Sequence, residues 1–307
     1  MKTRKINFDG CAGLEIATPR LRMVVTVDIG PRIAFLGRPD GENLFYWHVD
    51  DPGREGWRPL GGHRVWATRP MADESEDAYA ADNEPCKFEE SDKFVTVTGA
   101  IHPFLKTQRG VRIRPLDDDA FEVTSFVHNL GPMLYSAGVW CPTCILPRPG
   151  MTFGIPLGDR HLSWDVVKMV IPRAWAGHTS RINDPQIRFN EEFMVVEPQG
   201  VEAKRMVWAP LGILAMTWPE ARLSFIKRTQ SDPHAQYPQG CNLAVYIGPE
   251  NYMVEMETCG AERTLMPGDT AVNVETWRLS DEVLDWSDAD RVIRAARKLL
   301  DCPGSLA

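Results

Sequence analysis

Along most of the chain, apolar and polar residues alternate in short runs that end at glycine, proline or aspartate. Runs of this kind predict β-strands, because successive side chains on a strand point to opposite faces. Residues 14–18, 21–28 and 31–37 form three such runs near the start, and their β-branched residues favour strand over helix. The pattern predicts an all-β chain.

The end of the chain has a different spacing. Val292 and Ala295 belong to a set of apolar residues that recur at the period of a helix. Ser287 with Asp290 matches a capping box, which begins a helix by satisfying its first backbone N–H groups. We therefore expect one helix, from about 287 to 301, packed on the outside of the sheets.

Two carboxylates share one face of a strand near the C-terminal end. Residues 252–258 alternate strictly, which puts Glu255 and Glu257 together on the face opposite the apolar one. Residues 267–269, Pro-Gly-Asp, predict a tight turn, and residues 270–279 alternate again, so the pattern reads as two strands joined by a turn. Either this face is wet and the glutamates solvate it, or the glutamates carry chemistry.

A long stretch without regular alternation, residues 49–92, contains the sequence GGHRVWATR. Loops of this length in compact domains are usually functional or disordered. This one holds His63, Arg64, Trp66 and Arg69 close together. Aromatic rings beside charged donors suit a sugar or an anion, because the ring faces stack on indole while hydroxyls or carboxylates bind the charged groups. We expect this stretch to reach a binding site.

Composition excludes several classes of protein. The chain has 307 residues, a net charge of −8 and a pI near 5.5, which argues against nucleic acid because such partners need a basic face. No apolar run approaches the roughly 18 residues of a membrane helix, and no apolar segment follows the basic N-terminus. We expect a cytoplasmic protein with no membrane partner, folded as one domain over residues 1–307.

The cysteines predict neither disulfides nor a metal centre. Seven cysteines are scattered along the chain, and Cys141 and Cys144 form a lone C-x-x-C. A structural zinc site needs a second Cys or His pair, and a redox C-x-x-C needs a βαβ setting. We interpret both as structural thiols, and no pair of histidines or acids has recognisable ligand spacing, so no metal and no cofactor is expected.

Two segments carry a resemblance to a known family. MVEMET, followed by LMPGDTAVNVETWRL, resembles the C-terminal segment of the aldose 1-epimerases, or galactose mutarotases, with Glu257 and Thr258 on the family's Glu-Thr. The segment GGHRVW, residues 61–66, resembles the Gly-Gly-His-Arg-Leu-Trp of an uncharacterised mutarotase-like family. The similarity spans residues 14–279 and implies a large antiparallel β-supersandwich.

Two departures from the family pattern bear on the chemistry. Cys259 stands where the family has Gln after its Glu-Thr. Residues 136–140 stand where the family has the histidine of its Asn-His-x-Tyr-Phe segment, its general acid, and they contain no histidine. The resemblance therefore implies a general base here and leaves the acid to be found elsewhere.

Mutarotation opens a sugar ring with a base on the anomeric hydroxyl and an acid on the ring oxygen. The resemblance implies Glu257 as the base, with its pKa raised by the like charge of Glu255. For the acid we expect His63 first and His178 second.

The expected ligand is a carbohydrate or a related ring, bound by a monomer or a homodimer. The residues expected to contact it are Arg64, Trp66, Arg69, Glu255, Arg228 and Tyr237.

Two other functions stay open from the sequence. A lyase acting on a small uronate-like substrate would need Arg to neutralise a carboxylate and a His/Tyr pair, which Arg64, Arg69, His63 and Tyr237 offer. A non-catalytic carbohydrate-binding protein is favoured by the missing family histidine.

Overall fold

The computed structural model describes residues 2–50, 59–68, 82–158, 168–172 and 181–300. In these ranges the chain forms two β-sheets whose strands pair antiparallel. The predicted all-β fold class is confirmed.

The first sheet has twelve strands in the described part of the chain. They are β1 (Lys2–Phe8), β2 (Cys11–Ala17), β3 (Arg22–Thr26), β4 (Arg32–Gly37), β5 (Gly62–Arg64), β6 (Trp66–Thr68), β11 (Tyr135–Ile145), β13 (Lys168–Val170), β16 (Ala203–Trp208), β19 (Leu243–Ile247), β20 (Val254–Cys259) and β21 (Arg263–Leu265). The main path runs β1-β2-β3-β4-β5-β11-β20-β19-β16-β13, and β6 and β21 also pair with β11.

The second sheet has ten strands over the same ranges. They are β7 (Lys87–Glu90), β8 (Val95–Ile101), β9 (Thr107–Asp117), β10 (Ala120–Asn129), β12 (Thr152–Pro156), β14 (Ile187–Phe189), β15 (Phe193–Val196), β17 (Ile213–Trp218), β18 (Leu223–Thr229) and β22 (Thr270–Ser280). Their order is β14-β15-β12-β17-β18-β22-β10-β9-β8-β7.

The two sheets face each other across one large apolar core. Phe45, next to the first sheet, packs against Phe225 and Trp277 of the second, with ring centroids 6.2 and 5.9 Å apart. Fully burying an aromatic side chain of this size contributes about 1.5–3 kcal/mol. The inner faces of the strands therefore hold the sheets together and leave the outer faces for other uses.

Local alternation located the early strands well. The three runs near the start correspond to β2, β3 and β4. The preceding strand, β1, was not expected, because polar residues lie on both of its faces and its burial shows no apolar side. It is an edge strand held by its pairing with β2, and such a strand leaves little periodic signal in the sequence.

The Gly-Gly-His-Arg segment is a strand, which corrects the expectation of an irregular loop there. β5 lies between β4 and β11. Gly61 immediately precedes it and Gly62 is its first residue, with φ of 88° and 75°. A Cβ on Gly61 would lie 2.0 Å from the Tyr46 carbonyl oxygen, and one on Gly62 would lie 2.5 Å from that of Ile33. Only glycine allows this approach, so the pair lets the chain enter the sheet.

The two strands predicted to flank residues 267–269 exist, but they do not form a hairpin. β20 lies in the first sheet between β11 and β19, whereas β22 lies in the second between β18 and β10. Between them β21 pairs with β11, and the chain then crosses to the other sheet. Alternation predicts a strand but not its partner, and this is the reason for the error.

A helix, α1 (Ala289–Leu300), follows close to the predicted position. Its first turn is capped by Asp288, whose Oδ1 accepts a hydrogen bond from the Arg291 backbone N–H at 2.9 Å. The predicted cap, Ser287, instead donates its hydroxyl to Asp285. The apolar side of the helix packs on the outer face of the second sheet, as expected. Within the described ranges, no helix has the length and apolar composition needed to cross a membrane.

Candidate active site

Glu255 and Glu257 lie on the face of β20 that points away from the core. Val254 and Met256 alternate with them and pack between the sheets, which confirms the predicted faces. The glutamate face is not wet, because Glu255 and Glu257 are only 3% and 2% exposed. Charged side chains are seldom buried without a partner. The solvated-face interpretation is therefore wrong, and the partners of these carboxylates decide what they do.

Glu257 is held by one residue of the adjacent strand β11 and by one residue of β16, which lies beyond β19. Its Oε2 accepts a hydrogen bond from Trp140 Nε1 at 2.7 Å and lies 3.2 Å from Lys204 Nζ. The Lys204 ammonium also lies 4.6 Å from the centre of the Trp140 ring. The other oxygen, Oε1, is buried and has no hydrogen-bond partner among the described residues. A buried acceptor of this kind is ready to take a proton or bind a ligand hydroxyl.

A narrow cleft opens beside Glu257. Its empty volume is about 380 Å³ when the open mouth is counted. The enclosed part is much smaller, about 20 Å³, and has room for one water molecule. The residues that line it include Thr68, Trp140, Lys204, Met206, Gln239, Asn242, Glu257 and Cys259. Trp66 packs edge-on against Trp140 behind the cleft, with ring centroids 5.0 Å apart.

Glu255 lies behind this cleft, on the same strand face. Cys144 Sγ is 3.5 Å from its Oε1. Burial, reinforced by the like charge of Glu257, raises the pKa of Glu255 to about 7, while Lys204 and Arg64 oppose the shift. The sequence analysis expected Glu255 to raise the pKa of Glu257, and that expectation stays a prediction; the shift seen in the structure is that of Glu255.

The raised pKa of Glu255 predicts how stability changes with pH. The folded protein holds this proton up to about pH 7, whereas the unfolded chain releases it near pH 4.3. Stability contributed by the neutral form is therefore lost as pH rises between these values. The amide has no proton to lose. The effect of Glu255→Gln on the free energy of unfolding, relative to wild type, should therefore be more stabilising at pH 8 than at pH 4 by roughly 3–4 kcal/mol. Urea titrations at both pH values measure this, and an equal effect at both would contradict it.

Arg64 is committed to a buried ion pair. Its Nε and a terminal nitrogen donate to Asp82 Oδ2 at 3.0 and 2.6 Å, and its guanidinium stacks 4.1 Å from the Trp66 ring centre. Arg32 and Trp66 Nε1 donate to the same oxygen. Although burial opposes it, the two guanidiniums hold the pKa of Asp82 below its usual value. Arg64 and Trp66 thus form the wall behind the cleft and are not among the residues that line it.

His63 lies on the other side of the first sheet, between the two sheets and 0% exposed. Its Nδ1 is 2.8 Å from Thr143 Oγ1, and its Nε2 is 3.2 Å from Ser125 Oγ. Burial and the nearby Lys227 ammonium place the pKa of His63 well below its usual value. Contrary to the expectation, the structure does not bring His63 and Glu257 into one cleft, because their side chains leave the sheet on opposite faces.

Lys227 supplies the cation of the polar network around His63. Its ammonium donates to Thr143 Oγ1 at 2.6 Å, to the Met256 carbonyl at 3.1 Å and to Glu275 Oε1 at 3.0 Å, which uses all of its hydrogens. The same Thr143 hydroxyl lies within hydrogen-bond distance of His63 Nδ1, so His63, Thr143 and Lys227 belong to one buried network. His63 is a satisfied structural residue in this network.

His63, Cys141 and Glu275 also place ligand atoms within 4.8 Å of one another, as a metal site would. Lys227 already supplies the cation next to Glu275. Burial raises the pKa of the Cys141 thiol to about 12, against the thiolate a metal needs. Cys144 points to the opposite face of β11, toward Glu255. Both thiols are buried and free, so these residues do not fit a metal centre well.

The remaining predicted site residues are dispersed. Arg228 is exposed on the outer face of the second sheet, remote from β20. Tyr237 is buried in a neighbouring groove, where its hydroxyl accepts a hydrogen bond from the Asp232 backbone N–H at 2.9 Å. Arg69 and His178 lie outside the described residues, and their roles stay predictions. Of the four groups proposed for a lyase, the three that the structure describes, Arg64, His63 and Tyr237, do not meet.

Lys204 and Trp140 are the site residues that the sequence did not reveal. Each belongs to a segment that predicts a strand, and each looks like an ordinary strand residue there. Trp140 reaches Glu257 from β11, which pairs with β20. Lys204 reaches it from β16, which pairs with β19 on the other side of β20. That long-range pairing has no local signal, so only the folded sheet identifies them.

Comparison with known proteins supports the fold. No protein-family model matches the sequence, and no curated protein matches it. A candidate aldose 1-epimerase from Escherichia coli K12 superposes with a TM-score of 0.61 at 13% identity, covering 87% of this chain and 98% of its own. Galactose mutarotase-like proteins from Lactobacillus casei and Clostridium acetobutylicum give TM-scores of 0.60 and 0.59 at 14% and 11% identity. They cover 87% and 91% of this chain, and 100% and 98% of their own lengths.

The chain therefore has the galactose mutarotase-like fold. This confirms the fold that the resemblance of the Glu-Thr and Gly-Gly-His-Arg segments implied. At these identities the similarity concerns the fold, and the chemistry has to be argued from the site.

Proposed function

We propose that this protein interconverts the anomers of an aldose, or of a closely related ring, by acid/base catalysis in the Glu257 cleft. The observation that carries the proposal is the environment of Glu257. Its carboxylate is buried on the wall of a cleft, beside the Lys204 ammonium. One of its oxygens has no hydrogen-bond partner among the described residues. The fold shared with mutarotase-like proteins supports the same reaction class.

In this mechanism Glu257 Oε1 takes the proton from the anomeric hydroxyl. The electron pair left on that oxygen forms the aldehyde C=O, and the bond between the anomeric carbon and the ring oxygen breaks. The ring oxygen takes a proton from an acid and becomes a hydroxyl. Rotation about the bond next to the aldehyde, followed by the reverse steps, gives the other anomer with no net change in protons.

Lys204 is the acid that the described residues favour. It lines the cleft with Glu257, and its ammonium lies 3.2 Å from Glu257 Oε2. An ammonium at this place can donate a proton to the ring oxygen and stabilise the negative charge that develops there. His63 has no part in this step, since its side chain is on the other face of the sheet. His178 stays a predicted alternative acid.

Sugar binding requires the cleft to widen. The space beside Glu257 is now about the size of one water molecule. Residues Pro238–Gly240 form the turn at its rim, and Gln239 and Gly240 have φ of 55° and 68°. Left-handed backbone is unfavourable for a residue such as Gln239. Movement of this turn would widen the cleft toward the size of a sugar ring.

The test is exchange spectroscopy by NMR on a panel of aldoses, with the enzyme at micromolar concentration. We expect cross-peaks between α and β anomeric protons to grow with enzyme concentration for at least one aldose. Sugar binding without exchange would instead favour the non-catalytic carbohydrate-binding alternative. An ultraviolet-absorbing unsaturated product from a uronate would favour the lyase.

A further inference from the structure

A second and larger depression adjoins the Glu257 cleft. Its empty volume is about 660 Å³ with the mouth counted, and it is lined by Lys168, Trp208, Gln236, Tyr237 and Glu262, among others. We call it the Trp208 groove. It lies at the end of the first sheet where β13 pairs with β16, and Lys168 is the register partner of Trp208.

One turn separates the groove from the cleft. Gln239 and Cys241 line the cleft, whereas Gly240, between them in sequence, lines the groove. A Cβ on Gly240 would lie 1.9 Å from Lys168 Nζ, so the lysine side chain passes directly over this glycine. Met206 lines the cleft and Trp208 lines the groove, and because residues two apart on a strand share a face, both openings lie on the same side of β16.

The lining of the groove suits a sugar ring. Trp208 and Tyr237 pack with ring centroids 5.0 Å apart at an angle of 56°, which fixes the indole in place. Trp208 is partly exposed. Lys168, Gln236 and Glu262 supply donors and acceptors around it. A fixed aromatic surface surrounded by such polar groups matches a pyranose, which has apolar C–H faces and hydroxyls along its edge.

We propose that the Trp208 groove is a second sugar subsite, and that the preferred substrate is a reducing disaccharide or a longer saccharide. The reducing ring reacts at Glu257 while the next ring lies on Trp208. This inference rests on the proposed function. It goes beyond that function by naming the substrate class and a specificity residue outside the reacting cleft.

The experiment compares maltose with glucose, and lactose with galactose, by NMR exchange spectroscopy. Trp208→Ala should lower kcat/KM for the disaccharides by about tenfold, the size of one lost aromatic contact, and leave the monosaccharides unchanged. Trp208→Phe, which keeps an aromatic surface, should retain most of the disaccharide activity. Phe104→Ala, at a residue that is 87% exposed in the turn between β8 and β9, serves as the control.

The outcomes separate this inference from the function on which it rests. If Trp208→Ala affects disaccharides and monosaccharides equally, or neither, the subsite is overturned while wild-type exchange still supports the function. If the wild type exchanges no sugar, the function fails, and maltose and lactose titrations monitored by tryptophan fluorescence decide the subsite alone. Saturable binding that Trp208→Ala weakens supports it, and no binding to the wild type overturns it.

Discussion

Glu257→Gln is expected to lower the rate of enzyme-catalysed anomer exchange by about 10³-fold, the usual contribution of a positioned general base. The amide keeps the shape of the side chain and can still contact Trp140 Nε1 and Lys204, but it cannot accept a proton from the anomeric hydroxyl. The loss should therefore appear in kcat, with sugar binding largely retained. Exchange rates from NMR over a range of sugar concentrations separate the two.

Two controls make this result specific. Glu89→Gln changes an exposed carboxylate on β7, at the far edge of the second sheet, and should leave exchange at the wild-type rate. Circular dichroism and urea midpoints of Glu257→Gln show whether the fold is intact. A folded Glu257→Gln variant with wild-type exchange would remove Glu257 from the mechanism.

Lys227→Met should give the largest loss of stability, about 3–5 kcal/mol in the free energy of unfolding. The substitution removes the cation next to Glu275, a carboxylate that is 0% exposed, and leaves it with an uncompensated charge between the sheets. It also removes the hydrogen-bond donor that the Met256 carbonyl and the Thr143 hydroxyl share. Urea unfolding followed by tryptophan fluorescence measures the loss.

The matched control for this prediction is the next residue along the same strand. Arg228 points outward and is exposed, so Arg228→Met should change stability by less than about 1 kcal/mol. Adding Glu275→Gln to Lys227→Met removes the unpaired charge and should recover part of the loss. If the double variant is no more stable than Lys227→Met, burial of the Glu275 charge is not the cause.

The same network has a consequence for Glu257. Lys227 binds the carbonyl of Met256, and Glu275 Oε1 accepts the Thr258 hydroxyl at 2.8 Å. The residues on both sides of Glu257 are thus fixed from the second sheet. A catalytic carboxylate works best when its strand cannot move. The buried polar groups between the sheets support the geometry of the cleft from behind.

The sequence predicted the face of β20 that carries the glutamates, because alternation is a local property of a strand. It did not predict that this face is buried, since Trp140 and Lys204 come from segments far from Glu257 in the chain. It also placed His63 with Glu257 on the evidence of motif and residue type. The register of β5, which turns His63 toward the core beside Thr143, is a property of the assembled sheet alone.

The fold also separates side chains whose chemistry suggests that they act in one site. Arg64 and His63 are neighbours in sequence and both are fully buried. They nevertheless lie on opposite faces of β5, one paired with Asp82 and the other with Thr143. Assigning every charged and aromatic residue of one segment to a single site therefore gives too many site residues, because adjacent residues on a strand point to opposite faces.

The crystal structure of the Glu257→Gln variant with a bound reducing sugar examines the central claim at atomic scale. The account predicts the anomeric oxygen within about 2.6–3.2 Å of the side chain at position 257, with the ring oxygen turned toward Lys204. A sugar seated with its anomeric carbon away from both groups, at any other place on the molecule, would contradict it.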